Sequence, residues 1–180
     1  GKANLAVSGD TNNAEAFQAM RRAIEARRAN TVAGTVEALG YLRQALALDP
    51  EFGAAAAEMA WLYWDADEPR LKALGISWDE SAVRRSESLK LASRNPPPGY
   101  FQLSAVLLVR EHRSDEAIVL LQKAIPLDPS DPWTYEGMSQ ALSFNGRPGE
   151  GSGFLATAFR VDPGWTEWRR YLTALMAFGE

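Results

Sequence analysis

Two acidic clusters have the residue types for chemistry: Asp65, Asp67 and Glu68, and then Asp79 and Glu80. Paired carboxylates can divide acid and base roles or hold a hard cation. Neither cluster carries the glycine turn of a calcium loop, so helix caps and solvated loops are the plainer reading. The single histidine, His112, sits between Glu111 and Arg113 at an expected helix end. One histidine excludes a multi-histidine metal site within the chain, and the absence of cysteine excludes thiol catalysis, disulfides and thiolate ligands. No nucleophile elbow accompanies His112, which reads as a solvated turn residue. Gly149, Gly151 and Gly153 alternate where a helix should start. A phosphate cradle is one reading. No strand precedes the glycines and no Lys-Ser/Thr follows, so close helix packing or fraying is the other. Arginine doublets stand at Arg21-Arg22, Arg27-Arg28, Arg84-Arg85 and Arg169-Arg170, yet Lys and Arg total 19 against 23 Asp and Glu. A net charge of −4 makes nucleic acid an unexpected partner. Six tryptophans are a high count for 180 residues. Trp61 and Trp64 stand one helical turn apart and share a face. Either they pack under the stretch that follows, Trp78 included, or they line an aromatic groove suited to a peptide.

These residues need elements to hold them. A chain of 180 residues, 46% hydrophobic and 23% charged, is long enough for one folded domain with a core. Abundant alanine and sparse β-branched residues favour helix. The longest apolar run, Ala105 to Val109, is too short to cross a bilayer, so no membrane insertion is expected. Apolar spacing and caps predict helices over 13–29, 35–48, 54–66, 79–93, 99–111, 114–125, 132–144, 148–160 and 166–178. Asn12 with Glu15, Ser114 with Asp115-Glu116, and Asp131 with Pro132 mark starts. Residues 1–12 read as a linker. The stretch 65–78 reads as a lengthened turn, either a neutral length variant or a loop on a binding face.

Three segments repeat one pattern: Ala45 to Pro50, Ala124 to Pro129, and Ala158 to Pro163. Each is an apolar helix end closed by Asp-Pro, where proline stops the helix. Pro129 and Pro163 are 34 residues apart; Pro50 and Pro129 are separated by two such periods and 11 more. The best-matched unit runs Tyr135, Met138-Ser139, Leu142, Gly151, Leu155, Ala158 and Pro163. The unit before it gives Phe101, Ser104-Ala105, Leu108, Ala117, Leu121, Ala124 and Pro129. The second gives Ala56, Met59-Ala60 and Tyr63, then the insertion and a helix around Ala82; the first gives Phe17, Met20-Arg21, Ile24, Ala38, Leu42, Ala45 and Pro50. Small residues fall where paired helices must approach, and large ones at i, i+3, i+4 and i+7.

This pattern resembles the tetratricopeptide repeat and covers nearly the whole chain. The resemblance implies an all-α fold: a right-handed α-solenoid of about four helix pairs, with repeats over 13–50, 51–97, 98–131 and 132–165. A capping helix over 166–178, carrying Trp165 and Trp168 on one side and Arg169 and Arg170 elsewhere, would close it. In such arrays the first helix of each pair lines a concave face. That implies partner-binding positions at Gln18, Arg22, Trp61, Trp64, Gln102, Val106, Arg110, Glu136, Gln140 and Phe144. The Lys/Arg/Asn set that grips a C-terminal carboxylate in peptide-clamping arrays is not found here.

The functional expectation is a non-catalytic interaction or regulatory module with a protein or peptide partner, no cofactor and no metal. The chain opens on Gly1, so a fragment of a longer protein is expected. The enlarged first repeat resembles the C-terminal repeat region of bacterial signalling proteins, where such arrays follow a class III adenylate or guanylate cyclase domain, a winged-helix DNA-binding domain or a kinase. A cyclase is the preferred parent, and upstream domains of the same chain are then candidate partners. A free-standing adaptor, a homodimer, and a small enzyme or ligand-binding protein on a helical scaffold stay as alternatives. The cytoplasm is the favoured compartment, with the periplasm left open.

Overall fold

Five of the described helices begin where a side chain accepts an otherwise orphaned backbone N–H. The computed structural model describes residues 10–163, and among these every regular element is an α-helix. Asn13 caps α1 (Ala14–Arg28), accepting from the amides of Glu15 and Ala16, so the cap lies one residue past the expected Asn12. Thr31 caps α2 (Val32–Leu48) by accepting from Gly34 N, which starts this helix earlier than the expected residue 35. α3 spans Gly53–Asp65. The stretch expected as a lengthened turn contains a further helix, α4 (Glu68–Leu74). Asp67 caps it, Pro69 fits its first turn, and Gly75 ends it at φ 67°. Ser77 and Glu80 form a reciprocal capping box on α5 (Trp78–Ala92), and the Ser77 N–H bond holds the Glu80 carboxyl below its usual range. α6 (Pro98–Arg110), α7 (Ser114–Ala124), α8 (Pro132–Phe144) and α9 (Pro148–Val161) complete the order. Ser114 is the first residue of α7, as expected, with Asp115 and Glu116 in its first turn; Arg113 holds the cap position without a side-chain bond. The expected linker lies outside the described residues up to residue 9, as does the expected helix 166–178 with its Trp165, Trp168, Arg169 and Arg170.

The chain divides between Tyr100 and Phe101 into two compact units. In the first, α1 packs on α2 and α3 on α5, while α2 also meets α3 and α4. Alanine dominates the seam: Ala16, Ala19 and Ala23 from α1 and Ala38 and Ala45 from α2 join Leu39, Leu42, Phe52, Leu62 and Tyr63 in one core. The expected stripe of the first repeat is corrected here. Phe17 is 38% exposed and Arg21 is exposed, because the buried arc of α1 runs through its alanines. Leu71 of α4 and Ile76 enter the same core. Arg70 ties α4 to the turn between α1 and α2, donating to Thr35 Oγ1 at 3.1 Å, Asn30 O at 3.2 Å and Asn30 Oδ1 at 2.8 Å. The insertion is therefore a structural strap rather than a surface loop.

In the second unit α7 packs on α8 and α8 on α9. Ala105, Ala117, Ile118, Leu121, Met138, Ala141 and Leu142 form its core, with Leu108, Val109, Ile125 and Phe154 against it. Two turns here repeat bond for bond. Arg113 N donates to Leu108 O at 2.9 Å and Arg147 N to Leu142 O at 2.9 Å. His112 N donates to Val109 O at 3.0 Å and Gly146 N to Ser143 O at 3.1 Å. Arg113 forks onto Glu116 at 2.6 and 2.8 Å, and Arg147 onto Glu150 at 2.7 and 2.7 Å. His112 and Gly146 hold the matching left-handed position, at φ 60° and 74°. The three Asp-Pro ends also match: the amides of Asp49, Asp128 and Asp162 bond to the carbonyls of Ala45, Ala124 and Ala158 at 2.9, 3.3 and 3.0 Å.

Two substitutions should move stability in opposite directions. A Cβ on Gly34 would stand 2.4 Å from the Ala26 carbonyl oxygen, so Gly34→Ala should cost about 2 kcal/mol through overpacking. His112→Gly should gain about 1 kcal/mol by relieving a left-handed residue that carries a Cβ. Urea unfolding of the two variants and the parent checks both signs.

Candidate functional site

Within the first unit the expected site residues are scattered. Gln18 and Arg22 are exposed on α1, and the Arg22 guanidinium lies 6.0 Å from the Tyr41 ring centroid of α2. Trp61 is half-buried, and its Nε1 donates to Gly99 O at 3.0 Å. Trp64 is half-buried with the Arg85 guanidinium 5.3 Å from its ring centroid. Trp78 is 62% exposed at the first residue of α5. The two indoles are thus engaged inside the unit, one by a backbone carbonyl and one by a cation over its face. The acidic clusters are likewise divided among separate tasks. Asp65 pairs with Arg27 at 2.7 Å, Asp67 caps α4 and pairs with Arg70 at 2.6 Å, and Glu80 completes the capping box. Among the described residues no group of three or more His, Asp or Glu side chains could hold a metal ion. Gly149 and Gly153 are exposed and Gly151 is buried within α9, which matches a helix start rather than a loop. His112 is an exposed turn residue.

The second unit brings expected residues together. Gln102, Val106 and Arg110 recur every fourth residue on α6, and Glu136, Gln140 and Phe144 do the same on α8. Asp131, the cap of α8, accepts from Trp133 N at 3.3 Å and Thr134 N at 3.0 Å. Its Oδ2 also accepts from the Thr134 hydroxyl at 2.6 Å and from Gln102 Nε2, so one carboxylate anchors α6 to the start of α8. Gln102 Nε2 lies 2.9 Å from Thr134 Oγ1 as well. One turn on, Gln140 Nε2 donates to Glu136 Oε1 at 2.8 Å. Glu136 is only 5% exposed, and its Oε2 has no hydrogen-bond partner. Leaving a buried acceptor unsatisfied costs roughly 1–3 kcal/mol. Burial pushes this carboxyl up to about 7, with the charge of Asp131 adding and the Gln140 bond opposing.

Helix geometry places the rest of this face. At 100° per residue, Trp133, Gly137, Gln140 and Phe144 share one side of α8, with Glu136 at its edge beside Gln140. Trp133 is 53% and Phe144 71% exposed, while Gly137 and Gln140 are half-buried. The stripe spans about 16 Å. Val106 is half-buried and Arg110 exposed on α6. Sequence reasoning missed Asp131 and Thr134 as members of this cluster. The Asp-Pro cap was visible, and a hydroxyl at the third helical position beside a capping carboxylate was the available signal. The burial of Glu136 was missed too: it lies 60° from the exposed Trp133 and 60° from the buried Ser139, and the helical period alone does not decide which side covers it. No protein-family model matches the chain, and no curated protein matches it.

The Glu136 contribution to stability has a definite sign. The folded protein holds this proton more tightly than the unfolded chain, so the contribution is fully present below pH 4.5 and is lost as pH rises through about 7. Full ionisation removes about 3 kcal/mol. Glu136→Gln, a neutral isostere, should flatten the stability profile between pH 5 and pH 8 and exceed the parent at the upper end. Urea unfolding at several pH values measures it, and parallel profiles would show that the carboxyl is not desolvated.

Proposed function

We propose that this chain is a non-catalytic protein-interaction module of tetratricopeptide-like helix pairs, stacked as a right-handed solenoid, that binds a peptide or protein segment in a concave groove lined by α6 and α8. The observation that carries the reading is the 34-residue recurrence of whole turns: the same amide-to-carbonyl bonds, the same Arg–Glu fork and the same left-handed residue at His112 and Gly146. Repetition at the level of bonds supports a stacked repeat, because each pair must present the same geometry to its neighbour. The aromatic ends of the α8 stripe support a binding role, since exposed aromatics concentrate interface energy. The resemblance further assigns the module to a bacterial signalling protein, with a class III cyclase domain as parent; nucleotide and metal groups would then belong to residues beyond this chain.

Display selection from a random peptide library tests the groove. Enriched peptides should compete with one another, and their binding should perturb the backbone amides of α6 and α8. Phe144→Ala should weaken them about tenfold without altering the melting temperature. Enrichment of no peptide, or perturbation mapped elsewhere, overturns the groove. ATP turnover with Mg²⁺ or Mn²⁺ that depends on Asp65, Asp67 or Glu68 overturns the non-catalytic reading.

A further inference from the structure

Among the described residues Glu136 is the one buried carboxylate, and it takes part in no ion pair. Its neighbour Asp131 is fully engaged by the amides of Trp133 and Thr134, the Thr134 hydroxyl and Gln102. Glu136 has a single donor, Gln140, on Oε1, and a bare Oε2. A side chain buried at this position needs no charge merely to fill space. A carboxylate there has a use only if a donor arrives, and the negative field of Asp131 favours a cation. Gln140 stands between Glu136 and the centre of the exposed stripe, held to it by one i,i+4 bond on Oε1, so a rotamer change of Gln140 uncovers the carboxyl on that side. On either side Trp133 and Phe144 offer exposed aromatic surface, which suits an aliphatic stem ending in a charge.

We propose that the α8 face recognises its partner segment through one basic side chain, an arginine or lysine, whose cation enters beside Gln140 and pairs with Glu136. This rests on the peptide-groove reading and names the chemistry of its occupant. Pairing needs the ionised carboxyl, so the proton on Glu136 passes to solvent on binding. Asp131 is the charged group acting on Glu136. Gln140, its hydrogen-bond donor, is neutral. With half-ionisation near 7, affinity for an arginine peptide should rise about tenfold from pH 6 to pH 8.

The peptides enriched from the random library are the probes. The expected result is one shared Arg or Lys position. Its replacement by citrulline or norleucine should weaken binding at least tenfold to the parent protein and little to Glu136→Gln. Gln140→Ala, which leaves the carboxyl in place, should keep the preference. Enriched peptides without a basic position overturn the proposal while sparing the groove. So does citrulline binding as tightly as arginine, which would make Glu136 a neutral donor to a peptide carbonyl. An unchanged preference in Glu136→Gln places the basic subsite elsewhere. Enrichment of no peptide removes the groove and this proposal together.

Discussion

Close approach of helices through side chains no larger than a methyl group is the constraint on which the structure depends. Ala16, Ala19 and Ala23 share a core with Ala38 and Ala45 in the first unit, and Ala105, Ala117 and Ala141 are buried together in the second. Gly34 takes this to its limit, since the start of α2 passes so near the end of α1 that a Cβ would meet a backbone carbonyl. Alanine seams bring backbones close, but each buries little apolar area. The larger side chains that fill the remaining space, Leu42, Phe52, Leu103, Leu121 and Met138, are fully buried. Tight seams with few large residues depend on good closure at their ends, and polar fastenings cluster there. The Arg70 strap on the α1–α2 turn, the Arg113 and Arg147 forks, and the caps at Asn13, Thr31, Asp67 and Asp131 are all of this kind.

The same constraint explains why the polar cluster of the second unit forms where it does. A small residue at Ser139 and a buried hydroxyl at Thr134 leave room near the first turns of α8, and Asp131 and Gln102 use that room to join α6 to α8. Glu136 falls one turn further, at the boundary between the buried arc and the exposed stripe. It is too far in to be hydrated and has only Gln140 as a donor. Its raised affinity for a proton follows from that position. The tryptophans of the first unit have the opposite character: Trp61 and Trp64 are each satisfied by a partner within their own unit.

The sequence by itself determined eight of the nine described helices, because apolar spacing, capping side chains and proline stops are local properties of the chain. The Asp-Pro ends and the 34-residue offset were legible for the same reason, and the structure repeats them as bonds. The stripe spaced by fours on α8 needed only the helical period. The α4 helix escaped because its seven residues are too few for a periodic signal and its stabilising partners, Asn30 and Thr35, lie far back in the chain. Phe17 was misplaced because size suggested a core role that three alanines fill instead. Only the tertiary structure decided that Trp61 and Trp64 are engaged, that Asp131 reaches Gln102, and that Glu136 is dry. Burial and partnership depend on which surfaces meet, and residues distant in sequence set those meetings.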